Sequence, residues 1–325
     1  MNAVLGTSAL ALLAMPLAFV VGFALKRGSV CMVEGTRQAI VFGRTLRLRA
    51  FIVAAGAAGC TILPIAWLLP GKGMLAPDFA LTPWVIVGGT VFGVGARING
   101  GCQFGTIGRL AGGETNYVFT CAGAVVGAAV ALRTATPVLP EESPLMMPSA
   151  LGFATFILFA ALALPGLKRR YLRNIGRIFR DRRALMSPVA AMLVVGTVGG
   201  ILYTLAGSWT AGALLNREGA WLLGEVANHA DIKVFAGGAA LVGGALFAAI
   251  RSGRFRLCPP SIAGFVRNGT GGILMGVGAA LVPGGNGTLL LYSIPSASLT
   301  ALAAFAAMTT TIALGFLPAR LAARR

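Results

Sequence analysis

The chain has 325 residues, of which 57% are hydrophobic and 11% charged, with 46 glycines and a formal net charge of +18; its mean hydropathy is +0.83. A soluble domain holds about 25% charged residues, so these figures exclude an ordinary soluble enzyme and point to a membrane. The positive charge does not indicate a nucleic-acid partner. Eight basic residues (Lys168, Arg169, Arg170, Arg173, Arg177, Arg180, Arg182 and Arg183) fall in one segment between apolar runs, which is how cytoplasmic loops orient membrane proteins.

Apolar stretches close to the ~20 residues needed to cross ~30 Å of hydrocarbon recur along the chain. The first, 5–25, is read as a spanning helix rather than a signal peptide, because Lys26 and Arg27 follow the apolar run instead of preceding it. A polar segment too short to span, 28–38, holds Cys31 and Glu34, and Arg44, Arg47 and Arg49 mark a cytoplasmic turn. Further crossings are expected at 50–69, 83–99, 115–132 and 149–166, with external loops at 70–82 and 133–148. Between the third and fourth crossings, the stretch from Gly93 to Glu114 mixes glycines with Arg97, Asn99, Cys102 and Arg109. Broken backbone at membrane depth is tolerated where protein buries it or where it lines a cavity, so this stretch is expected to form part of a site.

The basic segment 167–187 is expected to be a cytoplasmic linker. Beyond it, crossings are expected at 188–206, 233–250, 269–282 and 297–317, a polar external segment with a short helix at 207–232, and a Pro-Gly-Gly-Asn-Gly break at 283–287. The expected fold is therefore an all-α polytopic membrane protein. It has about nine spanning helices plus short membrane-embedded half-helices, with the N-terminus outside and the C-terminus cytoplasmic.

The chain also resembles itself. Gly22, Lys26 and Cys31 match Gly93, Arg97 and Cys102 in spacing, and residues 93–102 align with 276–285, putting Gly285 at the thiol position and Asn286 just after it. A weaker copy starts at Gly200 and puts Trp209 at the thiol position. The charge-derived topology runs the first two copies inward and the last two outward. The expected organisation is thus a first half at 1–166, a linker at 167–187 and an inverted second half at 188–325, an architecture that sets sites at the repeat interface near the midplane.

Five cysteines, at 31, 60, 102, 121 and 258, form no Cys-x-x-Cys, and there is a single histidine, His229. No metal, cofactor or catalytic residue is expected. Cys31, Glu34 and Gln38 share one helical face, as do Cys102, Thr106 and Arg109. Each polar segment therefore reads as a half-helix with a thiol at its N-terminal end, where unpaired N–H groups favour an anion. Gly28, Gly100 and Gly101 are expected to let the backbone turn and approach a ligand. Glu34, Arg97 and Arg109 are charges near membrane depth, which are costly and point to function. Gln103, Gly284, Gly285 and Asn286 complete the expected pathway. Cys60 and Cys121 read as packing residues, Cys258 as a loop residue without a role, Trp209 and Trp221 as interfacial, and His229 as a loop residue.

Gly-x-x-Cys-Met-x-x-Gly near the N-terminus, Gly-Gly-Cys-x-x-Gly-x-x-Gly-Arg-Leu in the middle and Leu-Val-Pro-Gly-Gly-Asn-Gly-Thr-Leu-Leu-Leu late in the chain resemble the YeeE/YedE family of membrane proteins. The resemblance implies an hourglass-shaped fold in a bacterial inner membrane, uptake of thiosulfate or a similar sulfur oxyanion, and a relay of the anion between cysteines, here Cys31 and Cys102. It also implies a third cysteine in the second half, where this chain has Trp209 and Gly285. The alternative is a membrane sulfurtransferase or thiol-redox component that hands sulfur to a soluble sulfur-carrier or sulfurtransferase partner.

Overall fold

A computed structural model describes residues 2–69, 73–134, 140–207, 211–222, 224, 232–282 and 284–322. Trp209, His229 and Pro283 lie outside the described residues. The helices in chain order are α1 (Asn2–Gly28), α2 (Met32–Phe42), α3 (Leu46–Leu68), α4 (Pro83–Asn99), α5 (Gln103–Leu110), α6 (Tyr117–Thr134), α7 (Ala150–Ala163), α8 (Arg169–Arg180), α9 (Pro188–Ala206), α10 (Ala211–Leu222), α11 (Ile232–Arg251), α12 (Ile262–Leu281), α13 (Asn286–Thr288), α14 (Leu299–Leu314) and α15 (Leu317–Ala322). The short α13 runs on into a π-helical turn, Leu289–Ser293.

Among the described residues, seven helical spans are long and apolar enough to cross a membrane. An eighth is counted if Ile262–Leu281 and Asn286–Ser293, bent by 48° at their break, act as one span. The ninth expected crossing, 115–132, forms the shorter apolar helix Tyr117–Arg133. Large apolar side chains such as Ile52, Trp84, Ile157 and Leu299 are exposed on the outside of the bundle, as an acyl-chain environment requires.

Long helix, short helix, long helix occurs four times in the chain: α1–α2–α3, α4–α5–α6, α9–α10–α11 and α12–α13–α14. The packing follows the same scheme twice. Helix α1 packs on α9 and α11 while α3 packs on α9, and α4 packs on α12 and α14 while α6 packs on α12. Glycines permit these approaches. A Cβ on Gly123 or Gly127 would run into the α12 backbone at Gly269 and Ile273, and one on Gly196 into that of α3 at Ala54. Such small-residue contacts let membrane helices gain dispersion energy that lipid cannot supply between them.

Two expected boundaries move. The basic linker is not a loop: α8 occupies Arg169–Arg180 because Tyr171, Ile175 and Ile178 recur at helical spacing and turn onto the bundle. Helix α12 starts not at 269 but at Ile262, where Ser261 caps it by accepting from the Gly264 N–H at 3.0 Å. At one end of the molecule, Asp78–Phe79 (β1) pairs antiparallel with Pro140–Glu141 (β2). The turn before α14 joins them, with the Ser298 hydroxyl donating to Asp78 Oδ1 at 2.6 Å.

Candidate functional site

The site is built from helix breaks. Helix α1 ends at Gly28, and Ser29 takes φ +47°, a left-handed conformation uncommon for a residue with a Cβ. Arg47 Nη1 donates to the Ser29 carbonyl at 2.6 Å and holds the turn. Cys31 then precedes α2 in extended backbone. The second break is made by Gly100 at φ +73°, with Cys102 extended before α5. The third has Gly284 at φ +110° and Gly285 extended before α13.

The three short helices meet start to start. Neither thiol caps its own helix. Instead the Met32 N–H of α2 donates to Cys102 Sγ at 3.2 Å, which sets Cys31, the residue before Met32, beside Cys102. The Gln103 N–H of α5 donates to Asn286 Oδ1 at 3.2 Å, and the Gly287 N–H of α13 donates to Gln103 Oε1 at 3.3 Å. Each of these two helices thus caps the other. Cys102 is fully buried, Cys31 is 7% exposed, and the buried Asn286 amide leaves Nδ2 without a partner. A buried donor in that state is costly until something accepts from it.

Although the sequence shows no paired thiols, the fold makes a pair from residues 71 positions apart. Gly105 makes room for it, since a Cβ there would lie 2.6 Å from Cys31 Sγ. Cys31 lines a cavity of about 350 Å³, whose walls also include Lys26, Glu34, Arg47, Arg109 and Glu114. Lys26 Nζ donates to the Gly108 carbonyl at 2.7 Å, and Arg109 Nη1 donates to the Tyr117 hydroxyl at 2.7 Å and lies 3.6 Å from Glu114. Glu34 is neutralised by Arg37 at 2.8 Å and also accepts from Gln38. With Glu34 paired to Arg37 and Glu114 to Arg109, Lys26 and Arg47 leave the walls net cationic.

Two expected pathway residues lie outside the lining of this cavity. Gly28 is the last residue of α1 rather than the turn and does not line this cavity; it is small because Ala191 of α9 packs against it. Arg97 does not line the cavity but stacks on Phe316, its guanidinium carbon 4.3 Å from the ring centroid. Gly101 has ordinary space around it. Cys258 lies in a strand-like segment that bonds to Gly113 and Thr115, beside Glu114.

The bracing residues escaped the sequence reading. Asn99 Nδ2 donates to the Gly101 carbonyl at 2.8 Å and to Thr106 Oγ1 at 3.0 Å, while its Oδ1 accepts from Thr120 at 2.7 Å. Asn99 thereby holds the second break in shape. The signal was a lone asparagine at the foot of an apolar helix, where a polar amide must find partners.

The chain matches the family model described as Sulphur transport over residues 27–314. It is similar to a protein of Escherichia coli (strain K12) described as a probable transporter, YedE, with 28% identity over 120 residues. That stretch covers 36% of this chain and 29% of the relative's length.

Proposed function

The chain belongs to the Sulphur transport family, and on that premise we propose that it takes up a small sulfur-containing anion, thiosulfate first, across a bacterial inner membrane. The observation that carries this reading is Cys31 in the wall of a net-cationic cavity, with Cys102 buried beside it. Lys26, Arg47 and Arg109 raise the local concentration of an anion, because low-dielectric walls focus the field of charges in a cleft. The anion then meets Cys31, whose S–H and polarisable sulfur suit a sulfur ligand. The Asn286 amide, with its free N–H, offers a donor to an oxygen on the far side of Cys102. In this reading Asn286 and the backbone N–H groups of the 283–287 break replace the third cysteine that the family resemblance implies. No covalent step is needed, and we read the protein as a transporter rather than an enzyme.

The reading includes two inverted halves. Under the 93–102 to 276–285 alignment, Gln103 corresponds to Asn286, and these are the residues that cap each other's helices. Cys102 and Gly285 also share a backbone conformation, φ −77° with ψ −177° and φ −77° with ψ 177°. The alternative, a sulfurtransferase or thiol-redox component passing sulfur to a soluble partner, requires a persulfide on Cys102.

Uptake of radiolabelled thiosulfate into proteoliposomes tests the proposal. Cys31→Ala and Cys102→Ala are each expected to reduce uptake to the level of empty liposomes, with insertion unchanged. Full uptake by both variants removes the thiols from the pathway. An added sulfur atom in the intact mass after exposure to thiosulfate favours the transferase instead.

A further inference from the structure

We propose that the C-terminal end of α8, together with Arg27 and the Arg251–Arg254 turn, binds the phosphate headgroup of an anionic phospholipid. The site uses neither thiol and none of the residues that line the cavity, although Arg27 directly follows Lys26 in the chain. Arg27 is 2% exposed, and its Nη1 donates to the Ala184 carbonyl at 2.9 Å. Its Nε and Nη2 are buried without partners. Arg251 and Arg254 are close enough to repel it, and Asp181 is the carboxylate that attracts it. Arg251 also reaches α8, donating from Nη2 to the Phe179 carbonyl at 3.4 Å. Three guanidinium groups therefore lie within electrostatic range of one another, with one carboxylate among them. A buried charge left uncompensated is felt over many ångströms in a low-dielectric surrounding, so a phosphate held by Arg251 and Arg254 is also held by Arg27 without touching it.

The surface of α8 argues for a lipid rather than a free anion. Successive residues turn by about 100° around a helix, and α8 divides into three sectors. Tyr171 and Ile178 are buried against the bundle. Next around the helix, Leu172 and Phe179 are 46% and 73% exposed. Beyond them, Arg169, Arg173 and Arg180 are exposed. Asn174 fixes this orientation by donating to the Leu185 carbonyl and accepting from the Ser187 N–H at 2.7 Å. One turn before Arg251, Phe247 is exposed, and so is Ile250. Arginines thus border apolar side chains with no protein cover, matching a headgroup joined to acyl chains.

Native mass spectrometry of the full-length protein in detergent tests this, with phosphatidylglycerol, phosphatidylethanolamine and inorganic phosphate as probes. Phosphatidylglycerol is expected to stay bound where phosphatidylethanolamine does not. Arg251→Gln with Arg254→Gln should weaken it roughly thirtyfold, given the usual contribution of a basic residue near an anionic surface. Leu172→Ser with Phe179→Ser should weaken it without any change of charge. Arg44→Gln with Arg49→Gln, which removes two exposed arginines elsewhere, should leave it unchanged. Equal retention of both lipids, an equal loss in the Arg44 and Arg49 variant, no loss in either α8-site variant, or displacement by inorganic phosphate overturns the proposal.

Discussion

Two sulfur atoms decide what the junction can do. Cys31 borders the cavity, whereas Cys102 behind it is fully buried and receives the Met32 N–H. A water-soluble maleimide reaching the cavity therefore meets one thiol and is stopped by it. With Cys60, Cys121 and Cys258 replaced by serine, the protein should take up one label per chain, at Cys31, as read by peptide mass. Two labels would show that the junction opens well beyond the geometry described. The sequence announced both cysteines, because each stands among glycines and charges that an acyl-facing helix would exclude. It did not announce their contact, which depends on how α2 and α5 are aimed by residues in other helices. Arg97 illustrates the same limit. Its spacing copies that of Lys26, yet Phe316, in the turn between α14 and α15, captures it, and no local pattern encodes that ring's position.

Single helices were read well where composition is extreme and poorly where two signals compete. The long apolar helices follow from length and hydropathy alone. Helix α8 was hidden because its arginines suggested a solvated loop, although Tyr171, Ile175 and Ile178 already carried the helical period. The start of α12 was hidden for the same reason by Arg267. The glycines that join helices could be recognised as small-residue spacings, but their partners could not. Gly127 shows how tight these contacts are, since a Cβ there would meet the Ile273 carbonyl of α12. Gly127→Leu should therefore destabilise the protein by about 1–3 kcal/mol, the usual cost of overpacking, and lower its unfolding midpoint in detergent. The adjacent Val126→Leu, at a position 50% exposed, should leave the midpoint unchanged.

At the level of the whole molecule, the helices of one half find their main partners in the other. Helices α1 and α3 pack on α9, and α4 and α6 on α12. A fourfold recurrence in the element order was foreseeable from the repeat in sequence, but the interlocking was not, because either half could equally have closed on itself. If the interlocking governs assembly, fragments 1–180 and 181–325 expressed together should co-purify as a stoichiometric complex, whereas 1–180 alone should be degraded. Recovery of a stable N-terminal fragment by itself would contradict this. The interlocking also has a consequence for biogenesis. When the ribosome has finished the first half, α1 has none of α9 or α11 to lean on, and its glycine-notched flank faces lipid until more than half of the polypeptide has been translated. The newborn chain must wait in the bilayer, half dressed, and quality-control proteases have that interval in which to find it.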